Sequence, residues 1–303
     1  MEEKIVIVEN LKKQYGIVKA VDGVSFYVKK GEVCSILGPN GAGKTTTLEI
    51  VEGLRKKNSG KITIFGKEVE SIGKEEKERI GVTLQESSLF PKLTVTETIN
   101  LFRSFYKKSL PAREILDLLA LEEKATSYVE KLSGGQKRRL SVALSLVNDP
   151  ELVFLDEPTT GLDPQARRRV WEMVRNLKKQ GKSIILTTHY IEEAEELSDY
   201  VFIMDHGKII KDGTPNELIA SLGSLSYIEF ESHANGVKAI LEENGLQIKD
   251  GERIIIKTPD FISTLEKLNQ LSKEHYFDIK NLIIRQQNLE DVFLHLTGRT
   301  LRD

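Results

Sequence analysis

One short stretch restricts the fold of this chain more than any other. Gly38-Pro39-Asn40-Gly41-Ala42-Gly43-Lys44-Thr45 stands between the apolar run EVCSIL and the helical run TTTLEIVEGL. A glycine-rich loop that ends in Lys-Thr between a strand and a helix is a phosphate-binding loop. Its glycines let consecutive backbone N–H groups turn inward around phosphate oxygens, and the helix starting near Lys44 points its positive end at them. Lys44 is then expected to reach the β- and γ-phosphates, and the Thr45 hydroxyl to meet Mg²⁺. Thr46, the next residue, joins the expected nucleotide-binding set.

The rest of the chain supplies the scaffold such a loop requires. From Ile5 to about Asp212, short β-branched runs (KIVIVE, EVCSIL, KITIF, ELVFLD, SIILTTH, YVFIM) alternate with segments of helical period. That alternation predicts an α/β layered domain with a mixed, largely parallel sheet. ELVFLD and KSIILTTH are nearly continuous in apolar residues, as strands covered on both faces must be, and are expected at its centre. Between Gln85 and Leu132 the spacing of Leu, Ile and Phe turns helical, which reads as an inserted helical subdomain. Gly, Pro, Asn and Ser then cluster near residues 213 to 224. The expected division is a nucleotide-binding domain over 1–222 and an accessory domain over 223–303. The second part reads strand-helix-strand-strand-helix-strand with a closing helix, a small ferredoxin-like α+β pattern with a hairpin turn at Asp250-Gly251.

Composition removes several alternatives. Lys plus Arg number 44 against 46 Asp plus Glu, a net charge of −2, so no overall basic field is available to grip nucleic acid. The single Cys34 has no partner for an internal disulfide, and its apolar strand makes it a core residue. The acidic start MEEKIVIVENLKK does not read as a signal peptide, which suggests a reducing, cytoplasmic setting. No run approaches the ~18–20 apolar residues that span a bilayer. Trp171 and Met173 read as helix packing, and Lys137, Arg138 and Arg139 as a solvated or interface face.

A second chemical element is LVFLDEP, an apolar strand that ends in two carboxylates. Successive strand residues point to opposite sides, so Asp156 and Glu157 take different roles. Asp156 suits the Mg²⁺ shell, and Glu157 suits a general base or water-positioning group beyond the γ-phosphate.

Leu132-Ser133-Gly134-Gly135-Gln136, which opens the helical run KRRLSVALSLVND, makes the pattern specific. It resembles the signature motif of the ATP-binding cassette (ABC) ATPases, and the resemblance runs in the family's order over residues 4 to about 220. The phosphate loop is followed by a Gln loop carrying Gln85, the signature, the carboxylate strand, the loop Gly161-Leu162-Asp163-Pro164 and a switch histidine, His189. Ser133 stands where a helix N-cap would, and Gly134 and Gly135 free N–H groups at a positive helix end, which suits a second anion. The resemblance implies that this anion is the γ-phosphate held by an opposing subunit, giving a head-to-tail dimer around two ATP. It further implies that His189 senses the γ-phosphate, that Gln85 meets Mg²⁺ or the attacking water and relays to a membrane partner, that Tyr15 stacks on adenine, and that Asp163 bridges the subunits.

The function so implied is that of an ATP-hydrolysing transporter subunit, peripheral on the inner face of the membrane, that drives separate transmembrane permease subunits. Phe90, Leu93 and Val95 are expected to offer apolar contacts to that partner. NLEDVFLHLTGRTLRD and PKLTVTETINLF resemble the drug-resistance exporter branch, which implies export of a drug, antibiotic, lipid-like molecule or sodium. The tail is expected to dimerise or regulate, with small-ligand binding as its alternative. A soluble ATPase switch in DNA repair or translation is the other reading. The DNA-repair members carry a long coiled-coil insertion, whereas about 47 residues separate Gln85 from Ser133 here; the translation members usually hold two cassettes.

Overall fold

Alternating apolar runs become strands because each buries one face or both, and the computed structural model shows which. It describes residues 3–83, 89–223, 225–234, 236–249 and 253–299. In chain order the strands of the first part are β1 (Lys4–Tyr15), β2 (Val18–Lys29), β3 (Val33–Leu37), β4 (Ser59–Ile64), β5 (Lys67–Glu68), β6 (Ile80–Val82), β7 (Leu152–Asp156), β8 (Ser183–Thr188), β9 (Tyr200–Asp205) and β10 (Lys208–Gly213). Between them lie α1 (Lys44–Val51), α2 (Lys74–Lys77), α3 (Val95–Arg103), α4 (Ala112–Leu118), α5 (Gly134–Leu144), α6 (Pro164–Lys179) and α7 (Ile191–Leu197).

The main sheet has the order β10-β9-β3-β8-β7-β6. It is parallel from β9 to β6 and closes with antiparallel β10. Every residue of β3 and β8 is buried, as expected for central strands. Alternate residues feed two cores. Val33, Val153, Leu155, Ile184 and Leu186 face a core shared with the helical segments, and Cys34, Ile36, Phe154 and Ile185 face one shared with a second sheet. That sheet, β2-β1-β4-β5, is antiparallel throughout. The sequence reading recognised only KIVIVE of its first strand; β1 continues to Tyr15 and turns at Gly16, whose φ is +56°. Repeated register shifts along β1 and β2 blur the two-residue period that would have marked the continuation.

The helical insertion is shorter in regular structure than its periodicity suggests. Thr94 and Glu97 form a reciprocal capping box at the start of α3. Val95 corrects the expected partner surface: it is 0% exposed and packs in the core, leaving Phe90 exposed and Leu93 half-buried. Cys34 is buried as expected, and burial pushes its thiol far above the usual range.

The chain divides into two compact units at Pro215/Asn216. The second contains most of α8 (Pro215–Ala220), then β11 (Ser226–Glu231), α9 (Val237–Glu243), β12 (Gln247–Lys249), β13 (Ile254–Thr258), α10 (Phe261–His275), β14 (Lys280–Gln286) and α11 (Leu289–Thr297). Its antiparallel sheet has the order β12-β13-β11-β14. Ile228, Phe230, Ile254 and Ile256 pack under Val237, Leu241, Leu268 and Leu271. The element order is the βαββαβ pattern plus helix read from the sequence; the Asp250-Gly251 turn lies outside the described residues.

Candidate active site

Strand β3 delivers the chain into the glycine-rich loop, and helix α1 begins at Lys44. Gly41 and Gly43 hold φ of 80° and 103°, conformations that favour glycine. At Gly43 space is missing too, because a Cβ would stand 2.3 Å from the Ala20 carbonyl oxygen. Gly43→Ala is therefore expected to cost about 1–3 kcal/mol of backbone strain and to weaken ATP binding. Thermal unfolding and calorimetry check both; an unchanged Tm with parental affinity would contradict the argument.

Lys44 is 4% exposed, and its three ammonium protons have three acceptors. Nζ donates to the carbonyls of Gly38 at 2.8 Å and Pro39 at 3.0 Å, and lies 3.3 Å from Glu157 Oε1. Burial pushes the Lys44 amine below its ordinary value, with Glu157 opposing. Burial alone would raise the Glu157 carboxyl, but Lys44 and His189 outweigh it and hold that group below the usual glutamate value. His189 Nδ1 lies 3.3 Å from Glu157 Oε2, and Thr160 Oγ1 donates to the same oxygen at 3.1 Å.

Asp156, at the end of β7, faces the loop. Its Oδ1 accepts from Thr45 Oγ1 at 3.1 Å and from Thr187 Oγ1 at 2.5 Å. The next residue turns sharply: Glu157 has φ of +46°, a strained value for a residue with a side chain. Its backbone N–H is held at 3.0 Å by Thr187 Oγ1, and the Arg138 guanidinium donates to the carbonyls of both Asp156 and Glu157. Arg139 likewise reaches the carbonyls of Leu119 and Ala120. Of the expected solvated or interface face, the solvated reading is therefore corrected at both arginines, because their guanidiniums donate to part-buried backbone carbonyls. Thr187, Thr160 and Arg138 were missed by sequence reasoning. Thr187 carried the one usable signal, the first of two threonines that close the apolar run of β8.

Tyr15, Asn40, Gly41, Gly43, Lys44, Thr45, Thr46 and Glu157 line a cleft of about 550 Å³. Gly38, Pro39 and Ala42 lie buried behind it. Tyr15 is 41% exposed at the rim; its hydroxyl accepts from Arg55 Nη1 at 2.7 Å, and the Lys13 ammonium lies 5.1 Å from the centre of its ring. Ser133, Gly134, Gly135 and Gln136 do not line this cleft. Ser133 caps α5 in a reciprocal box, accepting from Gln136 N at 3.3 Å while its own N–H donates to Gln136 Oε1 at 3.0 Å. Ser133 and Gly134 remain exposed. Asp163 Oδ1 caps α6, accepting from the N–H groups of Gln165 and Ala166, both at 2.9 Å. Gln85 lies outside the described residues.

A glycine-rich loop at the C-terminal end of a parallel strand, with lysine, threonine and two carboxylates converging beside it, defines a phosphate-loop nucleotide hydrolase. Comparison with known proteins makes the class narrower. The ABC transporter family profile matches residues 21–160. The chain is 39% identical over 308 residues to "Nod factor export ATP-binding protein I" of Ralstonia nicotianae, covering 99% of this chain and 95% of that protein. It is 36% identical to "Linearmycin resistance ATP-binding protein LnrL" of Bacillus subtilis, covering 97% and 99%. A dimeric ATP-binding cassette bound to ADP and Pi matches with TM-score 0.64 at 28% identity, covering 69% of this chain and 98% of that one. The cbiO1 subunit of Clostridium perfringens, part of the ABC transporter complex cbiONQ, matches with TM-score 0.63 at 33% identity, covering 73% and 92%. The chain belongs to the ABC transporter family, as an ATP-hydrolysing subunit.

Proposed function

We propose that two copies of this chain close head to tail around two ATP molecules and, from the inner face of the membrane, drive export through separate permease subunits. The observation that carries the reading is the convergence of Lys44, Thr45, Asp156, Glu157 and His189 beside the glycine loop, while Ser133 and Gly134 of the candidate anion site stand exposed elsewhere. A second copy can bring that site to the γ-phosphate, where Ser133, Gly134 and Gly135 supply N–H and hydroxyl donors at a positive helix end.

The chemistry of each group supports the following division of roles. Backbone amides of Gly41 to Thr46 and the Lys44 ammonium hold the phosphates, and Tyr15 stacks on adenine. Phosphate oxygens compete with Glu157 for Lys44, so ATP binding takes from Glu157 the cation that depresses its basicity. Glu157 then accepts the proton of the attacking water, with His189 beside the γ-phosphate. Thr45 and Asp156 are hard oxygen donors that suit Mg²⁺, with Gln85 as a further ligand; when bound, the ion neutralises phosphate charge. Asp163, already spent on its helix cap through one oxygen, keeps the other for the opposing subunit.

The membrane-spanning work falls to separate permease subunits; among the described residues of this chain no helix is long and apolar enough to cross a membrane. An apolar groove of about 310 Å³ between Phe102, Phe105 and Tyr106 on one side and Ile72, Ile80 and Val82 on the other is a suitable seat for one. Glu52 stands in its wall with its carboxyl pushed up to about 8 by burial. Relatives named for Nod factor export and for linearmycin resistance favour an exported drug, antibiotic or lipid-like molecule over sodium. Residues 223–303 serve as an accessory domain for dimerisation or regulation.

The paired-cassette reading is tested by the mass of the Glu157→Gln chain in solution. ATP with Mg²⁺ is expected to convert monomer to dimer, and removal of the nucleotide to reverse it. A mass that ignores nucleotide would refute the shared-phosphate arrangement for this chain.

A further inference from the structure

Glu193 is a carboxyl for which the chemistry above has no use, yet it is 0% exposed on α7, one helical turn beyond His189. Trp171 Nε1, from α6, donates to its Oε1 at 3.2 Å. The hydroxyls of Thr188, which precedes His189, and of Thr159, two residues after Glu157, lie beside the same carboxyl. Glu193 Oε2 and Thr159 Oγ1 are both buried polar atoms without a formed hydrogen bond among the described residues. Three segments thus meet at one incompletely satisfied group, a costly arrangement to keep in a core. Helix α6 holds the histidine segment a second way. The Arg167 guanidinium lies 4.7 Å from the centre of the Tyr190 ring, which is 4.2 Å from that of His189.

We propose that Glu193 is a positioning residue for ATP hydrolysis, tying His189 to the loop that follows Glu157 and to the helix capped by Asp163. The inference rests on the roles given above to Glu157 and His189. If the Asp163 loop meets an opposing subunit, its displacement reaches His189 through this node. Burial favours the protonated carboxyl. The proton lets Oε2 donate to the Thr159 hydroxyl while Oε1 accepts from Trp171, a pattern that a glutamine side chain reproduces.

The test is single-turnover ATP hydrolysis by the full chain carrying Glu193→Gln, Glu193→Ala or Trp171→Phe, each also combined with His189→Ala, with ATP affinity measured by calorimetry. Glu193→Gln should stay within about twofold of the parent, while Glu193→Ala should lose about tenfold in rate with ATP affinity held within about twofold. Trp171→Phe should lose about threefold. In the His189→Ala background, replacement of Glu193 should cost less than about twofold further, because the lost contact acts through the missing histidine. A Glu193→Ala chain at the parental rate, a Glu193→Gln chain as slow as Glu193→Ala, or fully additive losses with His189→Ala would each overturn the proposal. Should Glu193→Ala fail to fold, Glu193→Gln and Trp171→Phe still decide it. Parental turnover by His189→Ala alone would instead bring down the reading of His189, and the Glu193 proposal with it.

Discussion

Glu157→Gln is expected to lower the hydrolysis rate by about 10²-fold or more, the usual worth of a positioned general base, while ATP binding persists. The amide keeps the size of the carboxylate and can still accept from Thr160, which holds Oε2 at 3.1 Å, but it takes up no proton from water. It also removes the anion 3.3 Å from Lys44, so the ammonium is freer to meet phosphate and affinity should equal or exceed that of the parent. Single-turnover hydrolysis beside calorimetry separates the two effects. Turnover at the parental rate would remove Glu157 from the base role, and lost binding would show that the carboxylate shapes the nucleotide site itself.

Lys44→Ala should act on the opposite quantity. Losing one partner of a buried charge pair costs about 2 kcal/mol or more, so ATP affinity should fall at least ~30-fold. Lys44 is almost fully buried and donates to the carbonyls of Gly38 and Pro39, so the truncation also leaves the loop's inner surface without its central donor. With Lys44 gone, burial acts on Glu157 against His189 alone, and its carboxyl should move upward from its depressed position. Calorimetric titration with ATP measures the affinity; an undiminished value would exclude Lys44 from the phosphate site.

Much of the architecture was legible because each signal was local. The apolar runs that became β7 and β8 are nearly continuous, enough to be read as central strands, and the run that became β3 was read as a strand leading into the glycine loop. Ser133 announced the start of α5 because capping depends on residues within one turn. The Asp156-Glu157 pair announced a strand end. By contrast, β1 was read only in part and β2 not at all, because their bulges interrupt the alternation that marks a strand. Val95 was read as surface because an apolar residue at the first turn of an amphipathic helix looks the same whether a neighbour covers it or not.

By itself, the sequence determined the identity and order of the chemical groups: a phosphate loop on a strand, two carboxylates at another strand's end, a capped glycine helix and a histidine after a third strand. Hydrogen-bonding capacity, strand alternation and capping are properties of neighbouring residues, so they can be read in one dimension. Only the tertiary structure decided which groups touch. Thr45 and Asp156 are 111 positions apart and share a hydrogen bond because β3 and β7 flank β8 in one parallel sheet. The same packing turns Arg138 inward onto two backbone carbonyls and encloses Glu193 between Trp171 and the histidine segment. Burial and pairing of charge depend on what the fold brings alongside, and nothing within a few residues of Arg138 or Glu193, or of Lys44 in its pairing with Glu157, specifies those neighbours.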